Sequence, residues 1–134
     1  MSRSLIQTAN QSPQNVAENG IINLGSVQRR YGNNLTLSGN GIEANGEGYY
    51  TIIGTVTVAP TAAGEISVAV YSNGAQISGV IASGTVGAAD NVITLPLVGT
   101  IRQSGCCSSA SNLTVVLLSG AGVVQNVSLL IKKE

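Results

Sequence analysis

Between Gly48 and Val58 apolar and hydroxyl-bearing side chains alternate, and no other stretch constrains the fold as strongly. One parity carries Tyr50, Ile52, Val56 and Val58, whereas the other carries Thr51, Thr55 and Thr57. Successive side chains of a β-strand point to opposite faces of its sheet. A period of two with one apolar parity therefore predicts a strand that is buried on one side only.

The rest of the chain has the same character in shorter pieces. We expect further strands at Leu5–Thr8, near residues 21–24, on both sides of a turn at 38–41, and at 66–71, 76–82, 91–102, 113–118 and 123–131. Val occurs 15 times, Ile 12 times and Thr 10 times, and such β-branched residues favour strands over helices. With 17 Gly and 12 Asn available for turns, the sequence predicts eight to ten short strands in an antiparallel sandwich.

Three local signals refine the pattern. Asn73-Gly74 lies between two predicted strands and predicts a two-residue type I′ turn, in which both residues need φ > 0. The run Ser38–Gly41 predicts a second hairpin. Pro96 cannot donate a hydrogen bond to a neighbouring strand, so its strand is expected at a sheet edge or at a bulge.

The domain organisation is expected to be simple. No linker rich in Pro, or in Gly and Ser, divides the chain, so residues 1–134 should form a single domain. Residues 1–24 are rich in Gln, Asn and Ser, and we expect them to form an N-terminal arm with short strands.

Charge and composition exclude several function classes. The formal net charge is zero and 9% of residues are charged, so no electrostatic basis for binding nucleic acid or an anionic membrane is present. Histidine is absent, which rules out Ser-His-Asp and Cys-His nucleophiles, and we expect no enzymatic activity and no small-molecule substrate. No apolar run could span a membrane, and the N-terminus shows no signal peptide, which predicts synthesis in a cytoplasm.

The runs Asn33–Leu37 and Gly46–Ile52 carry a family resemblance. A short alternating strand that leads into a G-x-Y-x-I-like step resembles the trimeric jelly-roll superfamily of tumour necrosis factor and the complement globular head. The strand pair around Asn73-Gly74, the strand at 95–97 and the last apolar strand also resemble that superfamily, so the similarity covers nearly the whole chain. It implies an all-β antiparallel jelly roll, a homotrimer and a structural role, and it supplies no catalytic residue.

The composition indicates which members of this superfamily the chain resembles most. The chain is rich in Gly, Asn, Ser and Val and poor in charge and aromatic residues, which makes it similar to small phage and prophage virion proteins of this fold. Such proteins are made in the bacterial host cytoplasm. We therefore expect a virion protein, a trimeric capsid decoration protein that binds the major capsid protein on the outer shell. The alternative is a receptor- or glycan-binding module of a tail fibre or tip.

Two groups of residues are candidates for these contacts. The last strand is apolar on both parities, with Val127, Leu129 and Ile131 on one and Leu130 on the other. Both faces of such a strand are hard to bury within one subunit. The candidate residues for the core or trimer interface are Tyr49, Tyr50, Ile52, Val127, Leu129 and Ile131. Because Tyr49 and Tyr50 are adjacent, one should enter the core and the other should face a neighbouring layer or subunit. The candidate capsid contacts are the basic residues Arg3, Arg29 and Arg30, with the last two in an exposed loop.

Two further pairs of residues are candidates for redox, metal or acid–base chemistry. Cys106 and Cys107 are expected to be reduced and unligated, with a vicinal disulfide or a zinc site shared by a trimer as alternatives. Glu43 and Glu47 are expected to be solvated turn residues, with acid–base chemistry or a cation site as alternatives. We expect no cofactor and no metal.

Overall fold

The computed structural model describes residues 4–32, 34–45, 48–89, 91–103 and 111–133, and all of its regular elements are β-strands. The strands are β1 (Ser4–Asn10), β2 (Gln14–Val16), β3 (Gly20–Ile21), β4 (Ser26–Tyr31), β5 (Leu35–Ser38), β6 (Gly41–Ala44), β7 (Gly48–Pro60), β8 (Gly64–Ser72), β9 (Ala75–Val86), β10 (Ile93–Gln103), β11 (Ser111–Ser119) and β12 (Gly122–Lys133).

The strands form two antiparallel sheets. Sheet A has the order β10-β7-β12-β1-β4, and β2 pairs with one end of β12. Sheet B has the order β5-β6-β11-β8-β9, and β3 pairs with β11. The long central strand β7 lies between β10 and β12, where Ile53 is in register with Val98 on one side and with Leu130 on the other. This arrangement is a jelly roll, as the resemblance implied.

The core lies between the two sheets and consists almost entirely of Val, Ile and Leu. Of the four tyrosines, Tyr50 alone is fully buried, and its hydroxyl donates a hydrogen bond to the carbonyl oxygen of Asn45 at 2.7 Å. A chain with few aromatic residues can still fill this space, because branched aliphatic side chains from both sheets interdigitate.

The sandwich is closed along both of its long sides. On one side β9 and β10 approach so closely that a Cβ on Gly99 would lie 2.3 Å from a methyl group of Val80. On the other side the Nε of Arg30 in β4 donates a hydrogen bond to the carbonyl oxygen of Leu35 in β5 at 2.7 Å. These two contacts fasten the edge strands of sheet A to those of sheet B.

The turn and edge predictions are confirmed. Asn73 (φ 53°) and Gly74 (φ 85°) both adopt positive φ between the paired residues Ser72 and Ala75, as a type I′ turn requires. Residues 39–40 join the paired ends of β5 and β6 in a second hairpin. Pro96 lies in β10, the edge strand of sheet A.

The N-terminal segment differs from the expected arm. β1 lies between β12 and β4 in sheet A, and Ile22 and Leu24 are buried in the core. The segment 4–24 therefore contributes three strands to the two sheets of the sandwich. Arg29 and Arg30 were expected in a loop but lie in β4, whose six residues are all exposed. Pairing with β1 makes this segment a strand, since it has no apolar parity of its own.

Candidate functional site

The outer face of sheet A, which points away from sheet B, carries an apolar stripe at one level. Val98, Ile53 and Leu130 lie side by side on β10, β7 and β12. Val98 is 63% exposed and Ile53 is 43% exposed, and Leu130 is half-buried. Adjacent strands are about 4.8 Å apart, so the three side chains form one continuous surface. We call these three residues the apolar stripe.

The six candidate residues for the core or interface separate into two groups. Tyr50, Ile52, Val127, Leu129 and Ile131 are buried between the sheets of a single chain. Tyr49 is 58% exposed on the outer face of sheet A, beside Arg102 of β10. Tyr50 thus enters the core as one of the pair was expected to do, and the contact of Tyr49 with a neighbouring subunit stays a prediction. The sequence did not predict the apolar stripe, an apolar surface that remains open on this sheet in the part of the chain that the structure describes.

Burial also alters the chemistry of Tyr50. Removal of its ring from water raises the pKa of the phenol above its ordinary value, because the charged phenolate is disfavoured there. The hydrogen bond from its hydroxyl to the Asn45 carbonyl uses the protonated form of the phenol. Tyr50 is therefore a packing residue that stays neutral at physiological pH.

The basic and acidic residues are segregated between the sheets. All basic residues in the described part of the chain lie on strands of sheet A, namely Arg29, Arg30, Arg102, Lys132 and Lys133. The acidic residues in the same ranges lie on sheet B or in the turn before β3, namely Glu18, Glu43 and Glu65. A neutral chain can therefore present faces of different charge character to its surroundings.

The two described candidates for the capsid contact, Arg29 and Arg30, point to opposite sides of sheet A. Arg29 is in register with Gln7 and lies on the outer face of sheet A. Arg30 points to the opposite side and makes the hydrogen bond that closes the sandwich against Leu35. Arg3 lies outside the described residues. Arg102, at the other edge of the sheet, places its guanidinium 5.9 Å from the ring centroid of Tyr49. Arg29 and Arg30 are both exposed, but Arg30 makes the hydrogen bond to Leu35, so Arg29 is the candidate that remains on the outer face.

The residues proposed for redox and metal chemistry lie largely outside the part of the chain that the structure describes. Cys106, Cys107 and Glu47 lie outside the described residues, so neither the cysteine pair nor the Glu43–Glu47 pair is placed. Within the described ranges, no three Cys, Asp or Glu side chains gather into a group that could hold a metal ion. The same ranges contain no helix long and apolar enough to cross a membrane.

A polar cavity of about 460 Å³ lies at the β4 edge of sheet A, where β1 ends and β4 begins. Its lining residues are Ala9, Asn10, Gln11, Ser12, Gly25, Ser26 and Gln28. None of these side chains is charged, and most carry an amide or a hydroxyl. Sequence reasoning did not find this site, because the two segments that form it are separated by the whole of β2 and β3.

Comparison with solved structures places the fold among known ones. Eiger TNF from S. frugiperda matches 98% of this chain over 92% of its own length, with a TM-score of 0.68 and 11% identity. The globular domain of zebrafish complement 1qA matches 96% of this chain over 94% of its own, with a TM-score of 0.69 and 4% identity.

A vertex protein shows a similar fold at lower structural similarity. PRD1 vertex protein P5 matches 98% of this chain over 72% of its own length, with a TM-score of 0.57 and 16% identity. No protein-family model matches the sequence, and no curated protein matches it. At these identities the comparisons speak for the fold, which is the jelly roll shared by tumour necrosis factor and the complement globular head.

Proposed function

We propose that this chain is a non-enzymatic structural protein of a phage or prophage virion, a homotrimer that decorates the outer surface of the capsid and stabilises it. The observation that carries the proposal is the apolar stripe on the outer face of sheet A, an exposed surface that another chain can cover. The likeness to a vertex protein supports a virion as the setting. The absence of histidine supports a role in assembly over catalysis.

The apolar stripe supports self-association. Val98 and Ile53 leave much of their side chains in water in a single chain, and burial of such groups contributes about 25 cal/mol for each Å² removed from water. A closed ring of three subunits brings two different patches of the same chain together around one axis. We place the stripe in one of these two patches.

An Ile53→Asp variant tests the trimer. Analytical ultracentrifugation of the unaltered protein at micromolar concentration should give three times the monomer mass. Ile53→Asp should shift the protein to monomer, because a carboxylate in the interface would lose its hydration. Ile81→Asp is the matched control, since Ile81 is 45% exposed on the outer face of sheet B. A monomeric parent protein, or equal dissociation by both variants, would refute the assignment.

The capsid contact is proposed to include Arg29. A trimer presents three copies of this exposed residue, and three linked contacts raise the effective affinity steeply even when each one is weak. A trimer also matches the local three-fold positions of an icosahedral shell. Because the chain carries no net charge, neighbouring decoration trimers would repel one another little.

Mixing purified protein with undecorated capsids tests the function. Electron microscopy should show density at three-fold-related sites on the outer shell. Arg29→Ala should lower the number of bound copies, whereas Arg102→Ala, at the opposite edge of sheet A, should not. Binding to host cells or polysaccharide, with no binding to capsids, would instead favour a receptor-binding module of a tail fibre or tip.

A further inference from the structure

We propose that the polar cavity between the end of β1 and the start of β4 is a binding site for a neutral saccharide. We call it the bulge pocket, after the irregularity in strand pairing that forms it. Its volume of about 460 Å³ lies within the range of small-molecule sites. The site is separate from the trimer contact proposed above, because the apolar stripe occupies β10, β7 and β12.

A β-bulge provides one wall of the pocket. Gln7 is in register with Arg29, and the next residue, Thr8, is in register with Val27. Gln28 is therefore an extra residue in β4 that opposes no residue of β1, and its side chain lines the cavity. Bulges re-aim side chains in this way beside many binding sites.

A glycine lets the two segments meet. Gly25 has a φ of +83°, and a Cβ at this position would lie 2.3 Å from the carbonyl oxygen of Ala9. Any larger residue would force the start of β4 away from the end of β1. The amide of Gly25 donates a hydrogen bond to Oδ1 of Asn23 at 2.8 Å, which holds this approach in place.

Hydrogen bonds of two side-chain amides, Asn10 and Gln14, hold the segment beside the pocket. Oδ1 of Asn10 accepts a hydrogen bond from the amide of Ser12 at 2.9 Å, and Nδ2 of Asn10 donates to the carbonyl oxygen of Asn23 at 3.1 Å. The side chain of Gln14 donates to the same carbonyl at 2.9 Å and accepts from the amide of Asn23 at 3.0 Å. A site held in this way loses little conformational entropy when a ligand binds.

The remaining lining groups suit a polyhydroxylated ligand. Nε2 of Gln28 donates to the hydroxyl of Ser26 at 3.2 Å, which leaves Oε1 of Gln28 as an acceptor. The amide of Gln11 and the hydroxyls of Ser12 and Ser26 both donate and accept hydrogen bonds. Adjacent hydroxyls on a sugar ring offer the same mixture of donors and acceptors.

The charge and polarity of the lining narrow the ligand class. No cationic side chain lines the pocket, so a phosphate or carboxylate would lose hydration without gaining an ionic partner. Among the lining residues only Ala9 and Gly25 lack polar side-chain atoms, which favours a ligand rich in hydrogen-bonding groups. A neutral saccharide of one or two rings satisfies both conditions, with an affinity in the millimolar range for each site.

The test is a titration of the full-length protein followed by two-dimensional NMR of its backbone amides. The probes are glucose, galactose, N-acetylglucosamine and maltose, with glucuronate as the anionic comparison. We expect at least one neutral sugar to shift the amides of residues 9–12 and 25–28 in a saturable way. Glucuronate should bind more weakly than the matching neutral sugar.

Two variants locate the site. Gln28→Ala should weaken binding about fivefold, the value for loss of one hydrogen bond. Ala9→Leu should fill the cavity and abolish the shifts. Gln76→Ala is the matched control, because Gln76 is an exposed glutamine on β9 of the other sheet. Circular dichroism of each variant confirms that it is folded.

The proposal is overturned if none of the neutral sugars shifts these amides, if Gln28→Ala and Ala9→Leu bind as well as the parent protein, or if glucuronate binds equally tightly. Capsid binding by the same two variants is measured in parallel. Loss of sugar binding with normal capsid decoration would separate this site from the proposed function, and each proposal can therefore fail alone.

Discussion

Replacing Thr8 by Val should stabilise the protein. Thr8 is buried on the inner face of β1, in register with Leu129 of β12 and Val27 of β4. Its Oγ1 makes no hydrogen bond to any of the described residues. Valine has nearly the same shape, so the substitution exchanges a buried hydroxyl for a methyl group without opening a cavity.

The magnitude follows from two terms of the same sign. A buried polar group without a partner costs about 1–3 kcal/mol in folding free energy. The added methyl contributes up to about 0.8 kcal/mol of hydrophobic stabilisation. We expect Thr8→Val to raise the free energy of unfolding by about 1–3 kcal/mol, with a rise in Tm of about 3–5 °C for each kcal/mol in a chain of this size.

Urea unfolding at fixed protein concentration measures the effect, since the stability of an oligomer depends on concentration. Thr85→Val is the control, because Thr85 is exposed on β9 and its replacement should change stability by less than about 0.5 kcal/mol. The reasoning fails if Thr8→Val lowers the urea midpoint, or if it raises the midpoint no more than Thr85→Val does.

Three further substitutions test other parts of the fold. Gly74→Val should destabilise the protein by about 1–2 kcal/mol, because a φ of 85° is unfavourable for a β-branched residue. Open space surrounds the position, so the cost is one of backbone conformation and not of a clash. An unchanged Tm in thermal melts would contradict this. The raised pKa of Tyr50 predicts that stability present below about pH 10 is lost as the pH rises through the pKa of the folded state. Tyr50→Phe should therefore flatten the alkaline part of a stability–pH curve. Arg30→Met removes the hydrogen bond to Leu35 and should lower the urea midpoint by the equivalent of about 1 kcal/mol, and no change would mean that this contact does not hold the sheets together.

The sequence predicted β7 most clearly, because this strand has one buried face and one open face. Gly48–Val58 alternates because β7 packs on sheet B with one parity and faces outward with the other. Asn73 and Gly74 predicted their turn because Asn and Gly tolerate positive φ. Pro96 predicted an edge strand because proline has no backbone N–H to donate to a neighbouring strand. In each case the structural feature depends on a single residue type or on a local alternation, which the sequence shows directly.

The parts that the sequence did not predict depend on distant pairing. β4 shows no alternation, since all six of its residues are exposed, and its hydrogen bonds to β1 make it a strand. The bulge pocket arises where the register between these two strands shifts, and no local pattern reports that shift. The alternation in β12 places Leu130 on the face opposite to Val127, Leu129 and Ile131. The sequence does not say which of the two faces packs against sheet B, and the structure shows that it is the face of Val127, Leu129 and Ile131.

The place of β12 in sheet A has a consequence for how the chain acquires its structure. β12 lies between β7 and β1, and it pairs Ile6 with Ile131 across almost the full length of the sequence. On the ribosome β1 and β4 are made early, but they have no β12 to join until nearly all of the chain described here is synthesised. Pairing over such a separation is slow, on the order of milliseconds to seconds. Until β12 is synthesised, the edge of β1 that pairs with it has no partner strand. The protein is prone to aggregation during this time, because an unpaired strand edge can pair with another chain.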